Sequence, residues 1–343
     1  GHKEVCELLI EKGADVNSKK VNGSTALMAA AFNGHKEACQ LLIEKGADVN
    51  VVNENGRTAL MVAAQYGHKE VCQLLIEKGV EVNSVSLMKA ARNGHKEVCQ
   101  LLIEKGADVN AVEEYGSTAL MIAASNGYKE VCELLIEKGA DVNAVTEGDV
   151  FHGRTALMYA AENGHKEVCK LLIEKGAEIT ATTNQERSTA LMYAARNGNK
   201  EICQLLIKKV ANFGRAALIC AAKVGHKEVC ELLIEKGADV NAKRGLFEST
   251  ALMYAAGSGN KEVCEFLIEK GADVNAVGKY GSTALMSAAR SGNKEVCEFL
   301  IEKGADVNSV DKDGLTAFMG AAENGHKEVC ELLIEKGADI NAI

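Results

Sequence analysis

The chain has no proline and no tryptophan, and aromatic residues make up only 4% of its 343 positions. Average usage would put proline near 5%, so no turn here is preset by a pyrrolidine ring. No apolar run approaches about 18 residues, which argues against a helical membrane span. A basic excess is also missing. The formal charge of −9 and pI near 5.5 disfavour nucleic acid and anionic membrane surfaces as partners. No signal peptide is visible, but the chain opens at Gly1 without an initiator Met and partway through a repeated unit, so that absence says little. What is there looks folded: 47% hydrophobic and 25% charged residues are the proportions of an ordered, soluble protein.

Twelve cysteines are present, and their placement says more than their number. Eleven of them, from Cys6 to Cys330, are separated by 33, 33, 27, 33, 37, 34, 27, 34, 33 and 33 residues. Self-similarity at such a period marks a solenoid and overrides the multi-domain prior set by length.

One unit, Thr58 to Val82, reads TALMVAAQYGHKEVCQLLIEKGVEV. Thr58 is placed to cap a short helix over Ala59 to Gln65, which ends at Tyr66-Gly67. His68 opens a second helix, and its apolar residues Val71, Cys72, Leu74, Leu75 and Ile76 form a stripe wide enough for neighbours on both sides. Gly79 stands where a helix end wants a left-handed residue, and an extended stretch with a turn glycine follows in most units.

The residues G-x-T-A-L-M-x-A-A-x-x-G-H-x-x-V-C-x-L-L-I-E-K-G-A-D-V-N-A, tandemly repeated along essentially the whole chain, resemble the ankyrin repeats. The resemblance implies an all-α solenoid (an α-solenoid) of helix pairs joined by short hairpin fingers. Glycine-based framing gives units 13–45, 46–78, 79–105, 106–138, 139–175, 176–209, 210–236, 237–270, 271–303 and 304–336, with partial units 1–12 and 337–343. At roughly 8–10 Å per layer, ten layers predict a stack roughly 90–100 Å long. The family usually has Thr-Pro-Leu-His where this chain has Thr-Ala-Leu-Met, as at Thr25–Met28, which removes a preset φ and a polar partner for the threonine. Alanine, the best helix former, should preserve the fold.

Three units break the rule. Units 79–105 and 210–236 are six residues short, in the runs Val80–Ser86 and Lys208–Phe213, which leaves no room for a full finger. They read as tolerated decay or as hinges where fingers lose contact. Unit 139–175 is four residues long, and its finger Thr146–Arg154 reads as a solvent-exposed loop that touches the partner. Neither end carries a polar capping repeat, so the chain reads as a segment of a longer array. Val5, Leu8 and Leu9 should be partly exposed and prone to fraying or end-to-end packing of a chain that is otherwise monomeric.

The chemistry-bearing candidates dissolve on comparison between units. His and Cys at i, i+4 offer soft metal ligands, but the His position holds Tyr128, Asn199, Asn260 and Asn293 while Cys persists. Hydrogen bonding near a helix start is what these side chains share. Asp149 with His152 is a weak metal pair. Cysteines one layer apart should be about 8–10 Å from each other, beyond the roughly 7 Å a disulfide tolerates. Reduced thiols imply a reducing, cytoplasmic compartment. Cys220, alone on a first helix, should be a partly exposed thiol. No Ser/His/Asp arrangement, phosphate loop or isolated carboxylate pair is present, and no cofactor or resident metal is expected.

The second-helix surface scarcely varies between units, whereas the x positions of M-x-A-A-x-x-G and the finger tips do. In ankyrin arrays the first helices and fingers line the concave groove, so the resemblance points to that surface. Its candidate partner-binding residues are Phe32, Tyr66, Arg92, Tyr159, Glu162, Tyr193, Arg196, Tyr254 and Arg290. Tyrosine and arginine are enriched among interface hot spots. Lys89, Arg92, Arg196, Lys223 and Arg290 against Glu162 and Glu323 leave this lining at +3 on a chain of −9. The expected role is a non-catalytic protein–protein interaction scaffold whose partner is a protein or peptide with acidic and apolar residues. Two further readings are a recruiting segment of a larger enzyme or secreted microbial effector and, by resemblance, a substrate for hydroxylation at Asn17 or Asn50.

Overall fold

The computed structural model describes residues 2–113, 116–147, 152–184, 187–208 and 214–341. Twenty-one helices are present among them, with only two isolated β-bridges. The chain divides into two compact units: Gly1–Ala160 with Glu167–Glu178 and Thr183–Gln185, and Glu186–Ile343 with Ala161–Lys166 and Ile179–Thr182. Each is a stack of helix pairs, all-α as the periodicity requires.

The helix pair is encoded locally. In the first unit, Thr118 caps the helix Ala119–Ser125 by accepting a hydrogen bond at its Oγ1 from the Met121 amide at 3.3 Å. In the second unit, Thr283 does the same for Ala284–Arg290 with Met286 at 3.2 Å. The Thr-Ala-Leu-Met sequence therefore caps its helix without proline. The second helix, Lys129–Glu137 for example, buries Val131, Cys132, Leu134 and Leu135. It ends in a Schellman pattern, with Gly139 at φ 92° donating to Ile136 and Ala140 donating to Leu135.

Layers are joined by two side-chain latches. At the finger base, Asn275 Nδ2 donates to Gly304 O at 2.9 Å and its Oδ1 accepts from the Asp306 amide at 2.9 Å. Asn17, Asn110, Asn143, Asn241 and Asn308 repeat this geometry within their own units. At the helix end, His68 Nε2 donates to Phe32 O at 2.9 Å and His95 Nε2 to Gln65 O at 3.0 Å. Asn293 Nδ2 makes the equivalent bonds to Ala256 O and Gly257 O. The expected hydrogen bonding of this position is thus real, but it does not cap its own helix: it reaches back to the first helix of the preceding layer.

In the short unit 79–105, Asn83 leaves the ladder and caps a lengthened first helix, Ser84–Arg92, accepting from the Ser86 amide at 3.0 Å. His95 keeps the helix-end latch of that layer. In the other short unit the first helix, Gly214–Val224, is longer still at 11 residues, and residues 209–213 lie outside the described ones. The long finger Thr146–Arg154 is closed at its base by Thr146 N to Arg154 O at 3.0 Å, while its residues 148–151, Asp149 included, lie outside the described residues. Val5, Leu8 and Leu9 are each more than 50% exposed.

Candidate functional site

Among the described residues, the first-helix ends and the fingers make the face whose residues differ most from layer to layer. Second-helix latches hold its backbone: the carbonyls they bind belong to Phe32, Arg196 (from His226), Arg290 (from His326), Glu162 (from Asn199) and Lys223 (from Asn260). The repeated His or Asn therefore fixes, from the next layer, where each variable side chain begins.

In the first unit, the Phe32 and Tyr66 rings lie 4.4 Å apart at 57° and are 47% and 41% exposed. They border a cavity of about 340 Å³ with the finger residues Lys20, Asn22, Asn53 and Arg57. Arg92, exposed, reaches the next finger and pairs with Glu113 at 3.3 Å. Tyr159 is half-buried, with the guanidinium of Arg154 stacked 4.1 Å from its ring centre.

In the second unit, Glu162 is half-buried and Arg290 exposed. Tyr193 is buried, only 8% of its surface accessible, with the Arg196 guanidinium 5.7 Å from its ring centre. A cavity of about 630 Å³ opens between the first helices and the finger Arg244–Ser249, lined by Met192, Arg196, Cys220, Lys223, Arg244 and Tyr254 among others. A second cavity of about 310 Å³ shares Lys223 and Tyr254 with it and adds Arg290. Further along the finger edge, Leu246 and Phe247 are 81% and 58% exposed, and Phe247 meets Tyr280 edge-on at 6.0 Å.

The structure thus brings Phe32 to Tyr66, and Arg196 and Tyr254 to one cavity, with Arg290 beside Tyr254 in the next. Arg154 belongs to the finger read from the sequence as solvent-exposed, but it and Thr146 are buried; Arg244, Leu246, Phe247 and Tyr280 escaped the reading of the sequence. Their only signal was the heterogeneity of the finger tips, which have no period to be compared against.

The opposite face is the second-helix surface. It is a uniform lattice of local pairs, such as Lys327–Glu331 at 3.3 Å and Gln100 to Glu104 at 2.9 Å. Such exposed i, i+4 pairs contribute only a few tenths of a kcal/mol. Nine cysteines lie in the buried seam, where burial lifts each thiol from 9.0 to about 12, as for Cys72, Cys132 and Cys264. They behave as small hydrophobes. Cys220 is half-exposed, as expected for a first-helix position. Among the described residues, no three His, Cys, Asp or Glu side chains are placed to hold a metal ion, and no helix is long and apolar enough to cross a membrane.

A scan against family models matches an ankyrin-repeat model (three copies per model) over residues 1–86, 87–183, 179–244 and 252–343. A comparison with curated proteins finds no match.

Proposed function

Because the chain belongs to the ankyrin-repeat family, whose members generally mediate protein–protein interaction, we propose that it is a non-catalytic scaffold binding a partner protein or peptide along its first-helix and finger face. The observation that carries this reading is the contrast between the two faces. The second helices are equally exposed to solvent yet repeat nearly the same charges, whereas Phe32, Tyr66, Arg92, Arg196, Tyr254 and Arg290 diversify over the three variable positions of the first helix. Tyr159, Glu162 and Tyr193 belong to the same face. Tyr193, being buried, supports the surface from beneath, holding Arg196. A lining of aromatics and cations favours a partner with apolar and acidic groups. Twelve cysteines with nine of them unpaired in the seam fit a reducing compartment, and the cytoplasm is the proposed location.

Peptides selected from a random library on the full chain provide the test. Their affinity should fall by roughly tenfold or more with Tyr254→Ala plus Arg290→Glu, the size of a hot-spot loss. It should stay within about twofold with Glu235→Lys plus Glu331→Lys on the second-helix surface. Equal losses from the two pairs would remove the face assignment.

A further inference from the structure

We infer that the first unit has a built-in opening point at residues 79–105, where side-chain latches between layers are missing and the contact that stands in for them is made by Arg92. The inference goes beyond the proposed function; only the place of Arg92 on the recognition face rests on that reading.

Four latches can tie a layer to its two neighbours, an asparagine and a His or Asn N–H on each side. Residues 271–303, in the second unit, have all four. Asn241 Nδ2 donates to Gly271 O and Asn275 Nδ2 to Gly304 O, both at 2.9 Å. Asn293 Nδ2 donates to Gly257 O and His326 Nε2 to Arg290 O, both at 3.1 Å. The finger of this layer is also bonded on both sides, by the Lys279 amide to Phe247 O and the Lys312 amide to Tyr280 O, each at 2.8 Å.

Residues 79–105 keep one of the four, His95 Nε2 to Gln65 O at 3.0 Å. The shortening of this unit accounts for two losses. With no full finger to hold it outward, Asn83 caps Ser84–Arg92, and its Oδ1 accepts from both the amide and the hydroxyl of Ser86 at 3.0 Å. On the other side exposed Asn50 makes no bond to Gly79 among the described residues; its own amide donates to Asp48 Oδ1 at 2.9 Å. The third loss is a substitution. Tyr128 lies over Gly94 as His68 lies over Gly34, but a phenol ring has no N–H to give the preceding carbonyl.

The apolar seam is no poorer here. Leu87, Cys99 and Leu102 have no accessible surface, and neither do Cys297 and Leu300 in the latched layer. The two layers therefore differ in their polar ties, and each net hydrogen bond changes an opening equilibrium by a factor of about two to ten. One compensating contact is present: Arg92 meets Glu113 of the next finger at 3.3 Å, with 47% and 33% of the two side chains accessible. An exposed pair of this kind contributes little. A partner carboxylate that drew Arg92 away would remove even that, so opening and recognition meet in one residue.

Cys99 and Cys297 report the two layers on equal terms, since both lack accessible surface and burial lifts both thiols to about 12. Iodoacetamide labelling of the full chain, read cysteine by cysteine, should reach Cys99 about tenfold or more faster than Cys297. Both should stay far slower than half-exposed Cys220. Amide exchange in Ser84–Arg92 and Lys96–Glu104 should exceed that in Ala284–Arg290 and Lys294–Glu302 in the same sense. Tyr128→His, which supplies the absent N–H, should slow Cys99 about threefold, and Asn293→Tyr, the reverse exchange, should speed Cys297 by a similar factor. Glu113→Gln should speed Cys99 about two- to fivefold. Labelling of Cys99 no faster than Cys297, with equal amide exchange in the two helix pairs, would overturn the opening point. So would a Cys297 rate unmoved by Asn293→Tyr, because the latch would then hold nothing. A Cys99 rate unmoved by Glu113→Gln would remove Arg92 from the device. None of these results touches the face assignment, which the groove and second-helix variants test separately.

Discussion

Raising the pH through the range from about 9 to about 12 is expected to unfold this chain far more steeply than its lysines and tyrosines alone would require. Burial lifts the seam thiols from 9.0 to about 12, as at Cys99, Cys203 and Cys297. The folded state therefore keeps its thiol protons where the unfolded chain releases them. The stabilisation is fully present below about pH 9 and is lost as pH climbs toward the folded value. Each thiol exposed on unfolding contributes a slope of about 1.4 kcal/mol per pH unit. The second unit holds four such thiols, Cys203, Cys230, Cys264 and Cys297, so their joint exposure gives about 5 kcal/mol per pH unit. Urea midpoints measured across this window should fall accordingly. Replacing those four residues by valine should flatten the curve to the residual due to other groups. An unchanged slope in the valine variant would show that the thiols are already hydrated in the folded chain.

The second large effect is a core truncation. Leu135 has no accessible surface and lies on the second helix Lys129–Glu137, beside Cys132 in the buried row. Leu135→Ala should remove about 2–5 kcal/mol, the transfer term plus the cavity left in a close-packed seam. The neighbouring Ile136 is only half-buried, and its truncation should cost less than half as much. Because layers touch only their neighbours, hydrogen exchange should accelerate most in the two helices of that layer and those flanking it. Uniform acceleration across the first unit would instead mean that its layers unfold as one body.

Much of this architecture was legible from residues whose effects are local. Thr118 caps its helix through a bond spanning three residues, Gly139 turns the chain at a helix end, and the Val-Cys-x-Leu-Leu run declares its buried stripe by spacing alone. The repeat makes each of these readings many times over. What the sequence did not disclose depends on contacts between layers. His68, Asn199 and Asn293 looked like residues near a helix start, and their bonds prove to reach the carbonyls of the preceding first helix. Tyr193 occupies the same register as Tyr254, yet one is buried and the other half-exposed, a difference that the shared register does not encode.

The candidate site divides along the same line. Arg196, Tyr254 and Arg290 could be picked out by comparing repeats, since their positions have a counterpart in every layer. Arg244, Leu246 and Phe247 could not, because finger tips change length and have no register. In the short unit 79–105, the shift of capping from threonine to Asn83 was written as an Asn three residues before Ser86, but only the structure ties it to the longer helix.

Alkylation of the native chain by iodoacetamide, followed by mass spectrometry of each cysteine peptide, tests the layered architecture most directly. Cys6, Cys220 and Cys330 should react readily, and the nine seam cysteines should react at least about a hundredfold more slowly until denaturant is added. Comparable rates at Cys132 and Cys220 would contradict the stacking of second helices on which both the seam and the opposing recognition face depend.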